Sequence, residues 1–367
     1  MRKQTLFALA ISIIILTASP APAEILYNLT DLGAGMAFSI NNNGQVVGVD
    51  SSSQATLFDT TGQGNNTNLG STSQATSISD NGQIVGWSYS TRTFKAVMYR
   101  TSPEGGYYAD EMGDGMAFSI NNSGQMVGYS APIIAALFEY AVPPFPGYSI
   151  TTLGDGQAYS INDNGQIVGY TINKYSGIAY ATIFDPTGHG NNKNIRALNG
   201  YNSSEAHSIN ENGKIVGYAY IYDPPPDPFD YEGEDYRAVL FDESGAGNNI
   251  YLGTLDIFGY SDSQAWSIND SGEIVGYSYN PMSQLWYYHA TLFDPTGGGD
   301  NIDLNDLIDP APGWTLIMAC SINNNGWIVG TMYNSNHDYH AYLLTPVPEP
   351  ATLLLFGLGG LMLRRKK

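Results

Sequence analysis

The sequence predicts an all-β fold. It reads as a seven-bladed β-propeller of four-stranded blades whose N-terminal strand closes the last blade, followed by a short C-terminal apolar helix. Three observations carry this. One phrase recurs seven times, as AFSINNNGQVVG (37–48), ATSISDNGQIVG (75–86), AFSINNSGQMVG (117–128), AYSINDNGQIVG (158–169), AHSINENGKIVG (206–217), AWSINDSGEIVG (265–276) and ACSINNNGWIVG (319–330). The glycine after the Asn-rich triplet returns at intervals of 38, 42, 41, 48, 59 and 54 residues, a spacing suited to a repeat of one small sheet per unit. Each interval also holds four short strand-like segments.

Taken in order, A-x-S-I is the first strand of a unit. N-x-[NS]-G is a tight turn in which Asn and Gly accept positive φ. In x-[IVM]-V-G, the second strand, adjacent apolar residues suit a sheet covered on both faces. Its closing glycine admits a close sheet-to-sheet approach or a bulge. A third strand follows, such as Ala55-Thr56-Leu57-Phe58 or Ala290-Thr291-Leu292-Phe293. The fourth ends at leucine, as at Leu32, Leu69, Leu153 and Leu252. No such strand follows Leu344, so Ile25 to Leu32 is expected to complete the seventh unit. A β-solenoid or an array of hairpins is the competing architecture.

Composition removes several functions. The 367 residues carry 34 acidic against 14 basic side chains, a formal charge of −20 that excludes a nucleic-acid footprint. With 43% hydrophobic residues the chain is not a disordered acidic polymer, and one cysteine supports neither a disulfide framework nor a multi-cysteine zinc site.

Both ends read as addresses. Arg2 and Lys3, the apolar run Leu6 to Leu16 and Ala21-Pro22-Ala23 have the layout of a secretory signal peptide over residues 1–23, with an uncleaved anchor as the alternative. At the other end, Ala351 to Leu363 is apolar and Arg364 to Lys367 is basic. Thirteen residues reach about 20 Å, short of a hydrocarbon core of roughly 30 Å. This is a transient anchor more than a working membrane domain. Without residues 1–23 and 347–367, the body at 24–346 has 8 basic and 33 acidic side chains, a net charge of −25.

Val347-Pro348-Glu349-Pro350, the apolar stretch and the basic end resemble the PEP-CTERM sorting tail of exported bacterial proteins; an ordinary tail anchor is the alternative. The resemblance implies recognition at Pro348, Glu349 and Pro350 by an exosortase-type membrane enzyme. It implies membrane contact through this segment alone, and delivery to the cell surface or extracellular matrix. The repeated phrase, with its Ala-x-Phe strand, resembles the HAF repeat of exported bacterial proteins. The closest matches to the signature are His289-Ala290-Thr291 and His340-Ala341-Tyr342; elsewhere the histidine slot holds Gln54, Lys95, Ala135, Tyr180 or Arg237.

Antiparallel order puts the N-x-N-G turns at one end of the units and the length-variable loops at the other, where repeat proteins place binding residues. The candidate ligand-binding residues there are Asp230, Glu232, Glu234, Asp235, Trp286, Tyr287, Tyr288 and Trp314. Aromatics beside carboxylates suit stacking and hydrogen bonding to an extracellular polysaccharide, or a divalent cation; a solvated loop that binds nothing is the third reading. Lys95, Arg237, His289 and His340 begin equivalent strands and are expected to donate hydrogen bonds between blades. The recurring loop Phe-Asp-x-[TS]-Gly-x-Gly-[ND]-Asn at 59–66, 185–192, 242–249 and 294–301 offers oxygen ligands that Ca2+ accepts. A turn held by Asp side-chain hydrogen bonds needs fewer carboxylates and is the preferred reading. No cofactor is expected. No G-x-S-x-G, H-E-x-x-H or phosphate-binding loop occurs. The expectation is a non-enzymatic surface or matrix module associated with exopolysaccharide, with a propeller-fold glycan hydrolase or lyase as the alternative.

Overall fold

A computed structural model describes residues 27–141, 147–222, 235–256, 262–280, 288–309 and 313–348. These are built from antiparallel strands and one 3-10 turn, Leu304–Leu307, with no α-helix among them. The expected leader (1–23) and the expected C-terminal apolar helix lie outside the described residues.

Every unit has four strands. They form one sheet of seven strands, one of ten and two of four, because three long strands each serve two units. These are Tyr27–Ile40, Tyr107–Ile120 and Gly147–Ile161. In each, the leucine-type segment pairs with the third strand of one unit, and the A-x-S-I segment pairs with the second strand of the next. The crossing needs a backbone that L side chains avoid. Gly115 has φ +137°, and a Cβ there would overlap the Tyr129 carbonyl oxygen. This explains the second glycine of L-G-A-G, M-G-D-G and L-G-D-G.

The N-terminal segment takes the place left empty in the seventh unit. Tyr27 to Ala34 pairs with Tyr339–Pro346, from Tyr27 opposite Pro346 to Ala34 opposite His340. Three further residues occupy the leucine position without the Leu-Gly signature: Met112, Ile195 and Leu304, all buried.

The core lies between the sheets. Seven apolar clusters each join one unit to its neighbour, and one of them packs Leu32, Val329, Ala341 and Leu343 of the last unit on Ala37 and Phe58 of the first. The adjacent apolar pair of the second strand divides between two clusters. Ile274 packs toward the preceding unit and Val275 toward the following one. Alternate side chains of a strand face opposite sides of its sheet, so I-V encodes burial on both faces. Fully burying each such side chain contributes about 1.5–3 kcal/mol.

The closing glycine of the second strand serves a bulge within the sheet, not an approach between sheets. In every unit the register slips between the Ala and Ser of A-x-S-I, as between Ala37 and Ser39. A Cβ on the facing Gly48 would overlap the Met36 carbonyl oxygen, and the same holds for Gly169 against Gln157. The bulge pushes one carbonyl toward the partner strand, and only a residue without a side chain leaves room.

Candidate functional site

The turn end is organised by three series of hydrogen bonds between units. In the first, the serine of A-x-S-I accepts from the isoleucine N–H of the next unit: Ile78 N–H donates to Ser39 Oγ at 3.3 Å and Ile120 N–H to Ser77 Oγ at 3.4 Å. It runs on through every unit and returns from Ser321 to Ile40 N–H at 3.4 Å. In the second, the buried asparagine that follows donates to the next unit's carbonyl, as Asn121 Nδ2 to Asn162 O at 3.1 Å and Asn323 Nδ2 back to Asn41 O at 2.9 Å. Its Oδ1 accepts backbone N–H groups of its own turn. Unit two has Ser79 in this place, and its Oγ accepts from Gln83 N–H at 3.1 Å.

The third series uses the next residue: Asn42, Asp80, Asn122, Asp163, Glu211, Asp270 and Asn324. Each side chain accepts from the backbone N–H of the preceding unit's equivalent, at 2.7–2.9 Å, and Asn324 N–H donates to Asn42 Oδ1. These residues, the isoleucine of every unit, Ser79 and the buried asparagines other than Asn162 line a cavity of about 380 Å³. Burial, with Asp163 and Asp270 nearby, raises the Glu211 carboxyl. Its carboxylates hold the units together, and among the described residues no group of three His, Cys, Asp or Glu side chains is placed to hold a metal.

The bulged residue of A-x-S-I makes a second layer. Phe118, Tyr159, His207 and Trp266 belong to successive units and contact one another; His207 stacks on Tyr159 at 4.5 Å and on Tyr218 at 4.9 Å between ring centres. Glu205 lies among them, accepting from Tyr159 at 3.1 Å and Tyr220 at 3.4 Å. His207 Nε2 and Trp266 Nε1 are buried with no hydrogen-bond partner among the described residues. Cys320 fills the equivalent place in the last unit, where burial pushes its thiol up to about 12. At that value it carries no thiolate near neutrality, so it is a packing residue.

Of the candidate ligand-binding residues, Asp230, Glu232, Glu234, Trp286 and Tyr287 lie outside the described residues. At the end opposite the turns, Asp235, Tyr288 and Trp314 begin or precede strands of units five, six and seven, and each has its own partner. Asp235 pairs with Arg237. Tyr288 donates to Asp262 Oδ2 at 3.0 Å, while Asp262 Oδ1 accepts from Tyr236 N–H at 3.1 Å and so links units five and six. Trp314 packs on His340, with ring centres 4.4 Å apart. The loop-tip aromatics are the residues that sequence reasoning missed. Tyr89 and Phe94 flank one hairpin at 5.2 Å, Tyr175 is fully exposed in another, and Tyr339 lies 4.8 Å from Tyr333 in a third. Their signal in the sequence is an aromatic beside the hairpin joining second and third strands.

Lys95, His289 and His340 bond within sheets, not between units as expected. His289 Nδ1 lies 2.5 Å from Asp303 Oδ2, His340 Nδ1 lies 2.9 Å from Asp31, and Lys95 pairs with Asp114. In each pair the acid sits on or just past the strand beside the third strand, so the contact crosses one ladder. The Phe-Asp loops are turns held by the Asp carboxylate. Asp185 Oδ1 accepts from Thr187 Oγ1 at 2.6 Å and Thr187 N–H at 3.0 Å, and Asn192 Nδ2 donates to Leu153 O in the adjoining leucine-type segment at 2.6 Å. The Thr187 hydrogen bonds hold the Asp185 carboxyl down to about 2.

No curated protein and no solved structure matches the chain. Residues 346–366 match the PEP-CTERM protein-sorting motif. The chain is thus an exported bacterial protein, held transiently in the membrane, sorted to the cell surface and recognised by exosortase through this motif.

Proposed function

We propose that the seven units form a seven-bladed β-propeller of the HAF-repeat type, with residues 1–23 as leader and 347–367 as sorting segment, and that this body is a non-enzymatic binding module for extracellular polysaccharide. Support for the ring comes from hydrogen-bond series that return from the last unit to the first. The apolar cluster shared by those two units adds to it. Ligand binding rests on one observation: exposed aromatics crown the hairpins at the end opposite the turns, where Tyr89, Tyr175 and Tyr339 are 49%, 102% and 37% exposed. A flat, partly polar ring at a rigid hairpin presents a stacking face to a sugar at low entropic cost. Asp262, Asp235 and neighbouring hydroxyls supply hydrogen-bond acceptors at the same end.

A glycan array probed with the processed body tests this reading. We expect retention on one class of acidic or neutral polysaccharide, weakened at least about tenfold by a Tyr89→Ala, Tyr175→Ala, Tyr339→Ala triple variant, from stacking contributions of roughly 0.5–1.5 kcal/mol each. Absence of binding to every polysaccharide class would overturn it.

A further inference from the structure

The chain enters and leaves the folded body at one point. Tyr27 opens the first described strand and pairs with Pro346, the last residue of Tyr339–Pro346. Both lie at the turn end, because Pro346 Cγ sits beside Gly326 of the seventh N-x-N-G turn. Tyr27 is buried there among Leu304, Leu307 and Leu344, so this entry point is packed into the core. The sorting motif begins at Pro346, leaving Val347 alone between the sheet and Pro348. From Pro346 to the apolar stretch at Ala351 is five residue steps, which span at most about 17 Å. The exposed hairpin aromatics are a full strand away: Ile328–Asn334 has seven residues, about 23 Å of height.

We propose that, while the sorting segment holds the protein in the membrane, the turn end faces the lipid headgroups and the aromatic-bearing end points outward. Turning the body over would require this connection, at most about 17 Å, to span the height of a strand, about 23 Å. Electrostatics oppose this orientation on an anionic surface, so the tether alone sets it. The cavity mouth carries Asp80, Asp163, Glu211 and Asp270, which anionic headgroups repel, so adsorption cannot set the orientation. The inference rests on the sorting motif and the strand pairing; it stands whether or not a polysaccharide is the ligand.

The test places one donor dye at either end of the same unit in the full chain, reconstituted in phosphatidylcholine vesicles containing acceptor-labelled lipid. Gln63→Cys lies in the exposed 59–66 loop at the turn end and Ser52→Cys in the exposed hairpin at the other end. Each is made with Cys320→Ser to leave a single thiol. Energy transfer from position 63 is expected to exceed that from position 52 at least about twofold, given a height difference of about 20 Å. Equal or reversed transfer, or none from either site, overturns the proposal. A flexible spacer of about 30 residues inserted after Pro346, with a mean reach of about 30 Å, should abolish the difference. If the difference persisted with the spacer, the short tether would not be its cause and the proposal would fail.

Discussion

Asn121 offers the sharpest measure of what holds successive units together. It is 4% exposed and makes four hydrogen bonds. Nδ2 donates to Gln125 Oε1 at 2.9 Å and to Asn162 O at 3.1 Å, while Oδ1 accepts from the N–H groups of Ser123 at 3.1 Å and Gln125 at 3.0 Å. At about 1 kcal/mol net for each bond, Asn121→Ala has a ceiling near 4 kcal/mol. Part is recovered: the Gln125 amide can turn to solvent, and Asn162 O keeps its turn bond from Gly165 N–H. The expected loss is about 2–3 kcal/mol. The protein contains its own control in Ser79, which keeps an acceptor for its turn and lacks the amide donor. Asn121→Ser should therefore cost less, about 1–2 kcal/mol, and Ser79→Asn should stabilise by about 1 kcal/mol through a new bond to Asn121 O. Urea unfolding of the three variants, compared at unchanged m-value, reads these differences. A loss under about 0.5 kcal/mol for Asn121→Ala, or destabilisation by Ser79→Asn, would refute the account of the asparagine series.

Other perturbations separate the remaining parts of the argument. Gly169→Ala should cost more than about 3 kcal/mol, because the methyl collides with backbone at the bulge. Gly64→Ala, at φ +78° with open space around it, should cost about 1–2 kcal/mol; guanidinium unfolding of both variants checks the contrast. Asp185 and Asp242 are both held down to about 2 by loop hydrogen bonds, led by those from Thr187 and Ser244. A carboxyl with a depressed folded value contributes stability above its unfolded pKa near 4, and this is lost as pH falls toward about 2. Thr187→Val should raise the Asp185 titration and leave Asp242 unmoved, as carboxyl NMR would record. Replacing Pro348, Glu349 and Pro350 by alanine should leave unprocessed chain in the membrane; unchanged processing in the native host would remove exosortase as the partner.

Much of the local architecture was legible along the chain. The turn glycines, the third strand ending in Phe and the I-V pair each report on neighbours within a few residues, where spacing alone carries the signal. A leucine-type strand for the seventh unit was legible by counting, since one such segment was missing there; of the expected Ile25 to Leu32, the described strand begins at Tyr27. Met112, Ile195 and Leu304 were harder, because only burial reveals that they do the work of Leu32. Of the candidate binding residues, those described sit at one end of the units as antiparallel order requires. Their partners, such as Asp262 for Tyr288, come from neighbouring connections.

By itself the sequence determined that this is an exported, acidic, all-β chain of seven similar units ending in a sorting motif. Those are properties of composition, periodicity and short contiguous signals. The tertiary structure decided what the recurring Ser, the Asn or Ser after it, and the next acidic or amide residue of each unit are for. Ser39 and Ile78 are 39 positions apart, and Asn323 and Asn41 are 282 apart. Sequence spacing between repeats cannot say whether side chains on one turn bond to their own unit, to the next, or to water. That depends on how the sheets pack, and the packing places each turn within 3 Å or so of its neighbour.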